Sequence, residues 1–387
     1  MARIVIITSR FPYPLEKGDK LRIYHQILFL AKHHDVNLIA INETPPKPED
    51  LLQFQSLTSV KVFTIPLIKR IFNLFLFFLN KRPLQVQYFY SSATKKKITT
   101  YIREIKPDVI YSHLIRTSEY VKDFPVHRKT IDYMDCFSKG FELKIKNSSN
   151  HFLTWLYRFE YKRLIAYENH IYPYFHQHII ISEQDKLSFN PVLEKMHVIP
   201  NGVDFSLYKP SNAEKKYDLL FSGNMGYPPN RDAANFAATQ VLPLLLKKDP
   251  NIKLLIAGVN PPKKLLKLQS RNIYVEGKFS HISEAYAQCL INIVPVITSI
   301  GLQNKVLQSM AMKMPTVVTP EAAKGINAQH ANVLLIGSSP EELAAHISTL
   351  LEDPLARNNL AERAFEFIHQ NFSWSAHNEN LMQIITK

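Results

Sequence analysis

A repeated alternation between short apolar runs and stretches of helical periodicity constrains the fold of this chain more than any other feature. The first apolar run, Arg3–Thr8, is followed by a polar loop and then by apolar residues at helical spacing over positions 21–31. Further strand-like runs of the N-terminal half occupy positions 35–42, 60–65, 108–111, 129–131 and 178–181. Such alternation predicts βαβ units that build a parallel sheet with helices on both faces.

The C-terminal half restarts this pattern after a turn-rich segment, IPNGVDFSLYKPSN, which marks a domain boundary. Strand-like runs lie at positions 217–221, 252–257, 273–275, 291–294, 316–318 and 333–336, and helical stretches at 304–312, 341–351 and 355–369. We therefore predict an α/β chain of two doubly wound Rossmann-like domains, residues 1–205 and 206–370, followed by a helix over 371–387. Because such sheets bind ligands beyond the carboxyl ends of their strands, we expect the two domains to face each other across a cleft that holds the site.

The overall composition excludes several classes of protein. Hydrophobic residues make up 46% of the 387 residues and charged residues 21%, which fits neither a disordered chain nor a disulfide scaffold. The two cysteines, Cys136 and Cys289, do not have the spacing of a zinc site. The first residues, MARIVIITSRFPYP, are typical of a buried strand rather than of a signal peptide, so we expect a cytoplasmic protein.

Positive charge is concentrated in one region of the chain. The formal net charge is +14, but residues 1–200 contain 29 basic against 18 acidic side chains, and residues 201–387 only 18 against 15. Residues 51–100 contain eight basic side chains and no acidic one. A regional charge of this kind indicates a partner surface.

The common short motifs of nucleotide, hydrolase and metal sites do not occur in the sequence. It contains no G-x-G-x-x-G, no G-x-x-x-x-G-K-[ST], no G-x-S-x-G, no H-E-x-x-H and no D-x-D. Ordinary dinucleotide sites, P-loops and metal-bridged diphosphate sites are therefore not expected. His170, His176 and His178 do not have the spacing of a metal-ligand set, so we predict no metal site.

The most informative segment is VPVITSIGLQNKVLQSMAMKMPTVVTP, at positions 294–320. A strand ends near its start, a glycine-containing loop follows, and a helix begins near Asn304. The free N–H groups and positive dipole end of such a helix favour an anion, and Lys305 in its first turn adds a cation. Gln308, one turn further, offers an amide to ribose hydroxyls. An ordinary amphipathic helix explains Lys305 about equally well.

This segment resembles the donor-site segment of retaining GT-B glycosyltransferases of family four, in the subgroup of bacterial exopolysaccharide and cell-wall sugar transferases. The subgroup's pattern is close to G-x-x-N-K-V-L-E-[AS]-M-A-x-x-x-P-V-V, and the matching positions are Gly301, Asn304, Lys305, Val306, Leu307, Ser309, Met310, Ala311, Pro315, Val317 and Val318. Four other segments agree in order: FPYP with Gly18 and Arg22, IPNGVD at 199–204, FSGNMGYPPNRDAANF at 221–236, and AAKGI at 322–326. The similarity spans essentially the whole chain.

The resemblance implies a metal-independent hexosyltransferase that uses a UDP- or GDP-linked sugar as donor substrate and needs no cofactor. It implies that Gly18 approaches the donor diphosphate, that His113 lines the sugar site, and that Phe279 lies in the loop holding the base. The donor-binding residues implied are Gly18, Arg22, Gly223, Asn224, Arg231, Phe279, Ser299, Gly301, Gln303, Asn304 and Gln308. It also implies that the last helix returns to the first domain.

The residues expected to carry catalysis are His113, Asp135 and Lys305. Asp132 and Asp135, in IDYMDCFS, follow a predicted strand, where an acceptor hydroxyl would meet a base. A turn or helix cap is an equally good interpretation of the two carboxylates.

The sequence departs from the family pattern in two glutamates and in a basic pair. The family has two glutamates, one on the sugar and one on the ribose, and the corresponding residues here are Ile300 and Gln308. The basic pair expected in FSGNMGYPPN is also absent, although Arg231 lies nearby. A catalytically silent relative that serves as a membrane or complex scaffold is therefore the alternative hypothesis, and a nucleotide-sugar epimerase of the same architecture is a third.

The acid-free region suggests a membrane partner. Residues 67–82 read LIKRIFNLFLFFLNKR, in which basic pairs bracket a strongly apolar stretch of nine residues, far fewer than the roughly 20 that span a bilayer. We predict that residues 67–97 bind an anionic membrane surface on the inner face of the plasma membrane, where a glycan or lipid-linked acceptor is glycosylated. A buried helix with solvated ends is the alternative. The basic residues alternate with Phe and Leu, so no nucleic-acid partner is predicted.

Overall fold

The computed structural model describes residues 1–75, 80–189, 195–277, 279–298, 301–326 and 332–387. They form two compact units, one of Met1–Pro200 with Ser375–Lys387 and one of Asn201–Trp374. The sequence placed these boundaries at 205/206 and 370/371. In the structure the second unit begins earlier, at Asn201, and ends later, at Trp374. Val203 pairs with Ser373, which holds both ends of this range in the second unit.

The first unit contains a parallel sheet of seven strands. The strands are β1 (Arg3–Thr8), β2 (Asp35–Asn42), β3 (Ser59–Thr64), β4 (Val109–His113), β5 (Arg128–Met134), β6 (Gln177–Ile180) and β7 (Met196–Val198). Their order across the sheet is β3-β2-β1-β4-β5-β6-β7, and every pairing is parallel. This is the doubly wound order, which reverses direction between β1 and β4.

Two apolar cores cover the two faces of this sheet. Side chains alternate along β1, so that Ile4 and Ile6 join one core whereas Val5 and Ile7 join the other. Leu381 of the C-terminal segment packs in the core of Ile4 and Ile6, which explains why this segment belongs to the first unit.

Helices separate the strands of the first unit. They are α1 (Gly18–Ala31), α2 (Pro48–Leu51), α3 (Leu67–Phe75), α4 (Leu84–Phe89), α5 (Ser92–Ile105), α6 (Ser118–Val121), α7 (Phe137–Asn147), α8 (His151–Ile171) and α9 (Glu183–Lys186). Two buried carboxylates of α8 cap neighbouring helices: Glu160 accepts from the N–H of Leu84 (2.9 Å), and Glu168 from that of Ser138 (3.2 Å). Burial raises the pKa of each to about 7.

The second unit repeats this architecture with six parallel strands. They are β8 (Tyr217–Ser222), β9 (Leu254–Ala257), β10 (Ile273–Glu276), β11 (Cys289–Val294), β12 (Thr316–Val318) and β13 (Leu335–Ile336), in the order β10-β9-β8-β11-β12-β13. Its helices are α10 (Pro228–Phe236), α11 (Leu242–Leu246), α12 (Lys263–Leu266), α13 (Ser283–Ala287), α14 (Asn304–Ala311), α15 (Pro320–Ala323), α16 (Pro340–Glu352) and α17 (Pro354–Asn371), and α18 (Trp374–Thr386) follows. The predicted fold class, two doubly wound Rossmann-like domains, is confirmed.

Each sheet therefore has one point at which strand order reverses, between β1 and β4 in the first unit and between β8 and β11 in the second. Open α/β sheets bind ligands outside the carboxyl ends of their strands at this point. None of the described helices has both the length and the apolar character needed to cross a membrane.

Candidate functional site

Lys305 is the central residue of the second unit's candidate site. It lies in the first turn of α14, and its Nζ donates to Asn230 Oδ1 (2.5 Å) and lies 4.7 Å from the ring centroid of Phe221. Burial lowers the pKa of Lys305 to about 7. No carboxylate among the described residues pairs with Lys305, and a buried ammonium is costly, so an anion that enters here would favour the charged form.

The loop after β8 passes directly beside this ammonium. A Cβ atom added to Gly223 would lie 2.8 Å from Asn230 Nδ2 and 3.3 Å from Lys305 Nζ. Asn230 Nδ2 donates to the carbonyl of Asn224 (3.0 Å), so Asn230 connects the loop to the lysine. Two predicted donor residues, Gly223 and Asn224, are thus placed in one group with Lys305.

A second glycine supports the loop from the neighbouring strand. Gly258 follows β9 with φ +141°, and a Cβ there would lie 1.8 Å from the carbonyl oxygen of Gly223. The N–H of Gly223 donates to the carbonyl of Ala257 (3.0 Å). Only glycine permits this approach of the two backbones.

Gln308 belongs to the same group through Tyr286. The buried hydroxyl of Tyr286 lies 3.3 Å from Gln308 Oε1, 3.1 Å from the carbonyl of Lys305 and 2.6 Å from Ser222 Oγ. Burial raises the pKa of Tyr286, so the phenol stays protonated. This network fixes the start of α14 against the carboxyl end of β8.

The loop before α14 is also closely packed. Gly301 has φ +70°, and a Cβ on Gly325 would lie 2.6 Å from its carbonyl oxygen. Asn304 Oδ1 accepts from Asn201 Nδ2 (2.9 Å), and Gln303 is the N-cap residue of α14. Ser299 and Ile300 lie outside the described residues.

Two other predicted donor residues of the second unit lie at its surface. Arg231 is partly exposed on α10, with its Nε 3.9 Å from Asp232. Phe279 is half-buried beyond the end of β10. Their donor-binding roles stay predictions.

In the first unit, Arg22 forms a buried ion pair. Its Nε lies 2.7 Å from Asp132 Oδ2, and both side chains are fully buried. Arg22 also donates to the carbonyl of Ile199 (2.8 Å), and Tyr111 donates to Asp132 (2.8 Å). Burial opposes ionisation of Asp132, but the surrounding groups, with the charge of Arg22 first among them, together outweigh it and lower the pKa. The pair ties α1 to β5, and a donor-binding role for Arg22 stays a prediction.

His113 ends β4, at the point where the strand order reverses. It is buried, and its Nε2 has no hydrogen-bond partner within the described part of the chain. Burial lowers the pKa of His113 to about 4, so the imidazole is neutral near pH 7. A neutral ring nitrogen at this position can bind a sugar hydroxyl without proton transfer.

Asp135 is a buried carboxyl just after β5, and its catalytic role stays a prediction. Burial, and then the charge of Asp185, raise its pKa to about 8. The carboxyl is therefore mostly protonated at pH 7 and is suited to donate a hydrogen bond.

Gly18 begins α1, and sequence reasoning missed the charged residues around it. Arg10 Nη1 lies 2.8 Å from Asp19 Oδ2. Burial opposes ionisation of Asp19, but the charges of Arg10 and Arg116 outweigh it and lower its pKa. The available signal was that Arg10 and Arg116 each follow a strand that borders the reversal point. Within the described ranges, no group of three or more His, Cys, Asp or Glu side chains is arranged to hold a metal ion.

Comparison with known proteins gives the class of this fold. Residues 216–353 match the family model of the group 1 glycosyl transferases. A Klebsiella pneumoniae protein, described as an uncharacterized 44.6 kDa protein in the cps region, is 25% identical over 96% of this chain and 97% of its own length.

Solved structures agree over the full length. HepE of Anabaena, in complex with UDP and glucose, superposes with a TM-score of 0.72 at 16% identity over all of both chains. WaaG, a glycosyltransferase involved in lipopolysaccharide biosynthesis, superposes with a TM-score of 0.67 at 15% identity over 99% of each chain. The matched domain and the shared fold together support a GT-B glycosyltransferase.

Proposed function

We propose that this protein is a retaining, metal-independent glycosyltransferase that moves a hexosyl group from a UDP- or GDP-linked sugar to a glycan or lipid-linked acceptor in cell-surface polysaccharide assembly. The observation that carries the proposal is the buried Lys305 ammonium beside the backbone of Gly223, where the strand order of the second unit reverses. A nucleoside diphosphate is the anion that fits this position, because it brings charge to a lysine that otherwise loses its proton easily.

Departure of the diphosphate is the step that Lys305 promotes. As the bond between the anomeric carbon and the phosphate oxygen breaks, negative charge grows on the diphosphate, and the ammonium and the N-terminus of α14 stabilise that charge. Asn230 holds Nζ in place before the donor arrives, so little reorganisation is needed.

Retention is compatible with the ionisation of the first unit's residues. When the acceptor oxygen attacks the face from which the diphosphate leaves, the departing phosphate oxygen can take the acceptor's proton. No carboxylate base is then required, and the protonated Asp135 and neutral His113 act as hydrogen-bonding groups for sugar hydroxyls.

The similar proteins support this substrate class. HepE was crystallised with UDP and glucose, WaaG is involved in lipopolysaccharide biosynthesis, and the Klebsiella relative belongs to a cps region. These descriptions support a nucleotide-sugar donor and an acceptor in surface polysaccharide for this chain, and binding of the donor through Lys305 and the loop after β8 is our proposal.

The proposal includes binding to an anionic membrane surface through residues 67–97, on the cytoplasmic face. Helix α3 supports it, because Arg70 and Asn73 are its buried residues and most of its apolar side chains are exposed. Arg70 is 1% exposed, whereas Ile68 is 83%, Phe72 60% and Phe75 72% exposed. A helix with this orientation needs an apolar environment outside the unit.

A catalytically silent scaffold is the second candidate, and the amide of Gln308 in place of a carboxylate favours it. Release of nucleoside diphosphate from a panel of UDP-, GDP-, ADP- and dTDP-sugars, with anionic vesicles and lipid-linked acceptors present, separates the two. We expect turnover of one donor, reduced at least about 100-fold in Lys305→Met and unchanged in Lys267→Met, an exposed lysine of the same unit.

Three other outcomes would contradict the proposed transferase activity. Binding of a donor without turnover identifies the scaffold, and acceptor-free conversion of the donor sugar identifies an epimerase. Failure of every nucleotide-sugar to bind removes the donor site itself.

A further inference from the structure

Three arginine side chains surround a single aromatic ring in the first unit. The guanidinium carbons of Arg70, Arg116 and Arg10 lie 4.8, 5.0 and 5.7 Å from the ring centroid of Phe89, which is buried. Stacking on the ring offsets part of the cost of bringing these charges together, but it supplies no counter-charge.

Among the described residues, two of the three arginines form an ion pair with a carboxylate, and Arg116 does not. Arg10 pairs with Asp19 at 2.8 Å, and Arg70 approaches Glu43 at 3.6 Å. Arg116 donates from Nε and Nη2 only to the neutral Oε1 of Gln85, at 3.1 and 2.8 Å, and no carboxylate among the described residues pairs with it.

The environment of Arg116 is unfavourable for its charge. Burial, and then the charge of Arg10, lower the pKa of Arg116 to about 10. The nearby Asp19 and Asp135 offset this only in part, because Asp19 is already paired with Arg10 and burial raises the pKa of Asp135 to about 8. Arg10 and Arg116 thus share the carboxylate of Asp19, and this excess of positive charge favours an anionic group from outside the chain.

The position of the cluster is that of a ligand site. Arg10 follows β1 and Arg116 follows β4, the two strands between which the order of the first sheet reverses. His113 ends β4, and its buried Nε2 has no partner within the described residues. An unpartnered ring nitrogen close to an unpaired cation suits a ligand that carries both hydroxyl groups and an oxyanion.

We infer that Arg10 and Arg116 bind an oxyanion of the acceptor, a phosphate or a carboxylate, so that the acceptor is an anionic rather than a neutral glycan. This inference rests on the proposed function, in which the donor binds to the second unit at Lys305. Planar guanidinium groups bind both oxyanions through paired hydrogen bonds, and a neutral sugar cannot replace those contacts.

The test is calorimetric titration of the full-length protein saturated with UDP or GDP, whichever binds. The probes are glucose 1-phosphate, glucuronic acid and the neutral methyl glucoside. Arg116→Gln and Arg10→Gln remove one cation each, and Arg103→Gln, an exposed arginine of α5, is the matched control for net charge. Circular dichroism establishes that each variant is folded.

We expect one of the two anionic probes to bind wild type at least tenfold more tightly than methyl glucoside. Arg116→Gln and Arg10→Gln should each lose about tenfold or more of that affinity, and Arg103→Gln none. The stronger probe distinguishes a phosphate-bearing from a carboxylate-bearing acceptor.

Equal affinity of wild type for charged and neutral probes, or equal losses in Arg116→Gln and Arg103→Gln, overturns the inference. If Arg116→Gln does not fold, Arg10→Gln decides alone. Absence of UDP and GDP binding, with anionic probes still bound through Arg116, would remove the donor assignment while leaving the oxyanion site.

Discussion

The contact between Gly223 and Gly258 shows how single residues shape the candidate donor site. Both glycines follow parallel strands of the second sheet, and their backbones are closer than any Cβ would allow. This close approach allows the backbone of Gly223 to lie beside Lys305. The geometry therefore requires glycine at position 258, although Gly258 is not one of the predicted donor-binding residues.

Replacing Gly258 by alanine tests this contact. The new Cβ would meet the Gly223 carbonyl at 1.8 Å, with φ at +141°, so we expect a loss of about 2 kcal/mol or more in unfolding free energy and a loss of donor binding. Urea denaturation and donor titration measure the two effects. Gly277→Ala is the control, because its Cβ would meet its nearest neighbour at an ordinary 3.4 Å; equal losses in both variants would contradict the explanation.

The sequence predicted the positions of single residues where a local pattern defines them. The first-turn position of Lys305 was readable from the helix start, and the structure places it in α14. Its partner Asn230 lies 75 positions away, and Arg116 reaches Phe89 across two elements, so neither could be found without the fold. The ionisation of Asp135 likewise depends on burial, which the sequence does not define.

At the level of elements, α3 is the clearest departure from ordinary packing. The apolar run with basic flanks was visible in the sequence, but which residues are buried was not, because apolar faces normally turn inward. Here Arg70 turns inward instead, donating to the carbonyls of Ile65 and Ile41 and stacking on Phe89. The apolar face is left exposed.

The exposed face of α3 predicts binding to anionic vesicles. Replacing Phe72 and Phe75 together by serine should weaken vesicle partitioning at least about tenfold, because each phenyl ring gives up about 1.5–3 kcal/mol of apolar transfer. Cosedimentation with phosphatidylglycerol-containing vesicles measures it. Leu355→Ser, at an apolar residue 70% exposed on α17, should leave partitioning unchanged; the same partitioning in all three proteins would exclude α3 as the membrane-binding element.

Strands were predicted more accurately than short elements. The apolar runs at 35–42 and 291–294 correspond to β2 and to most of β11, since strands buried on both faces are continuously apolar. β7 was missed, because its three residues, Met196–Val198, pair only with β6 at the sheet edge and carry no apolar run. The sequence also contains no local sign that Val203 pairs with Ser373.

At the level of the whole molecule, two units of the same strand order place a cation at corresponding points. Lys305 in the second unit and Arg116 in the first each follow the strand that borders the reversal. A chain built this way can bind one anionic substrate on each sheet. The repeated βαβ pattern was sufficient to predict both sheets, whereas the pairing of charges at their edges depends on tertiary contacts.

The measurement that tests the central claim most directly is the affinity of the accepted nucleotide-sugar for wild type and Lys305→Met at pH 6.5 and pH 8.5. Burial lowers the pKa of Lys305 to about 7 in the free protein, and a bound diphosphate should raise it. Affinity should therefore fall about tenfold as the pH rises to 8.5 in wild type, and be weak and pH-independent in Lys305→Met. Tight binding by Lys305→Met, with the same pH dependence as wild type, would contradict the assignment of this site to the donor.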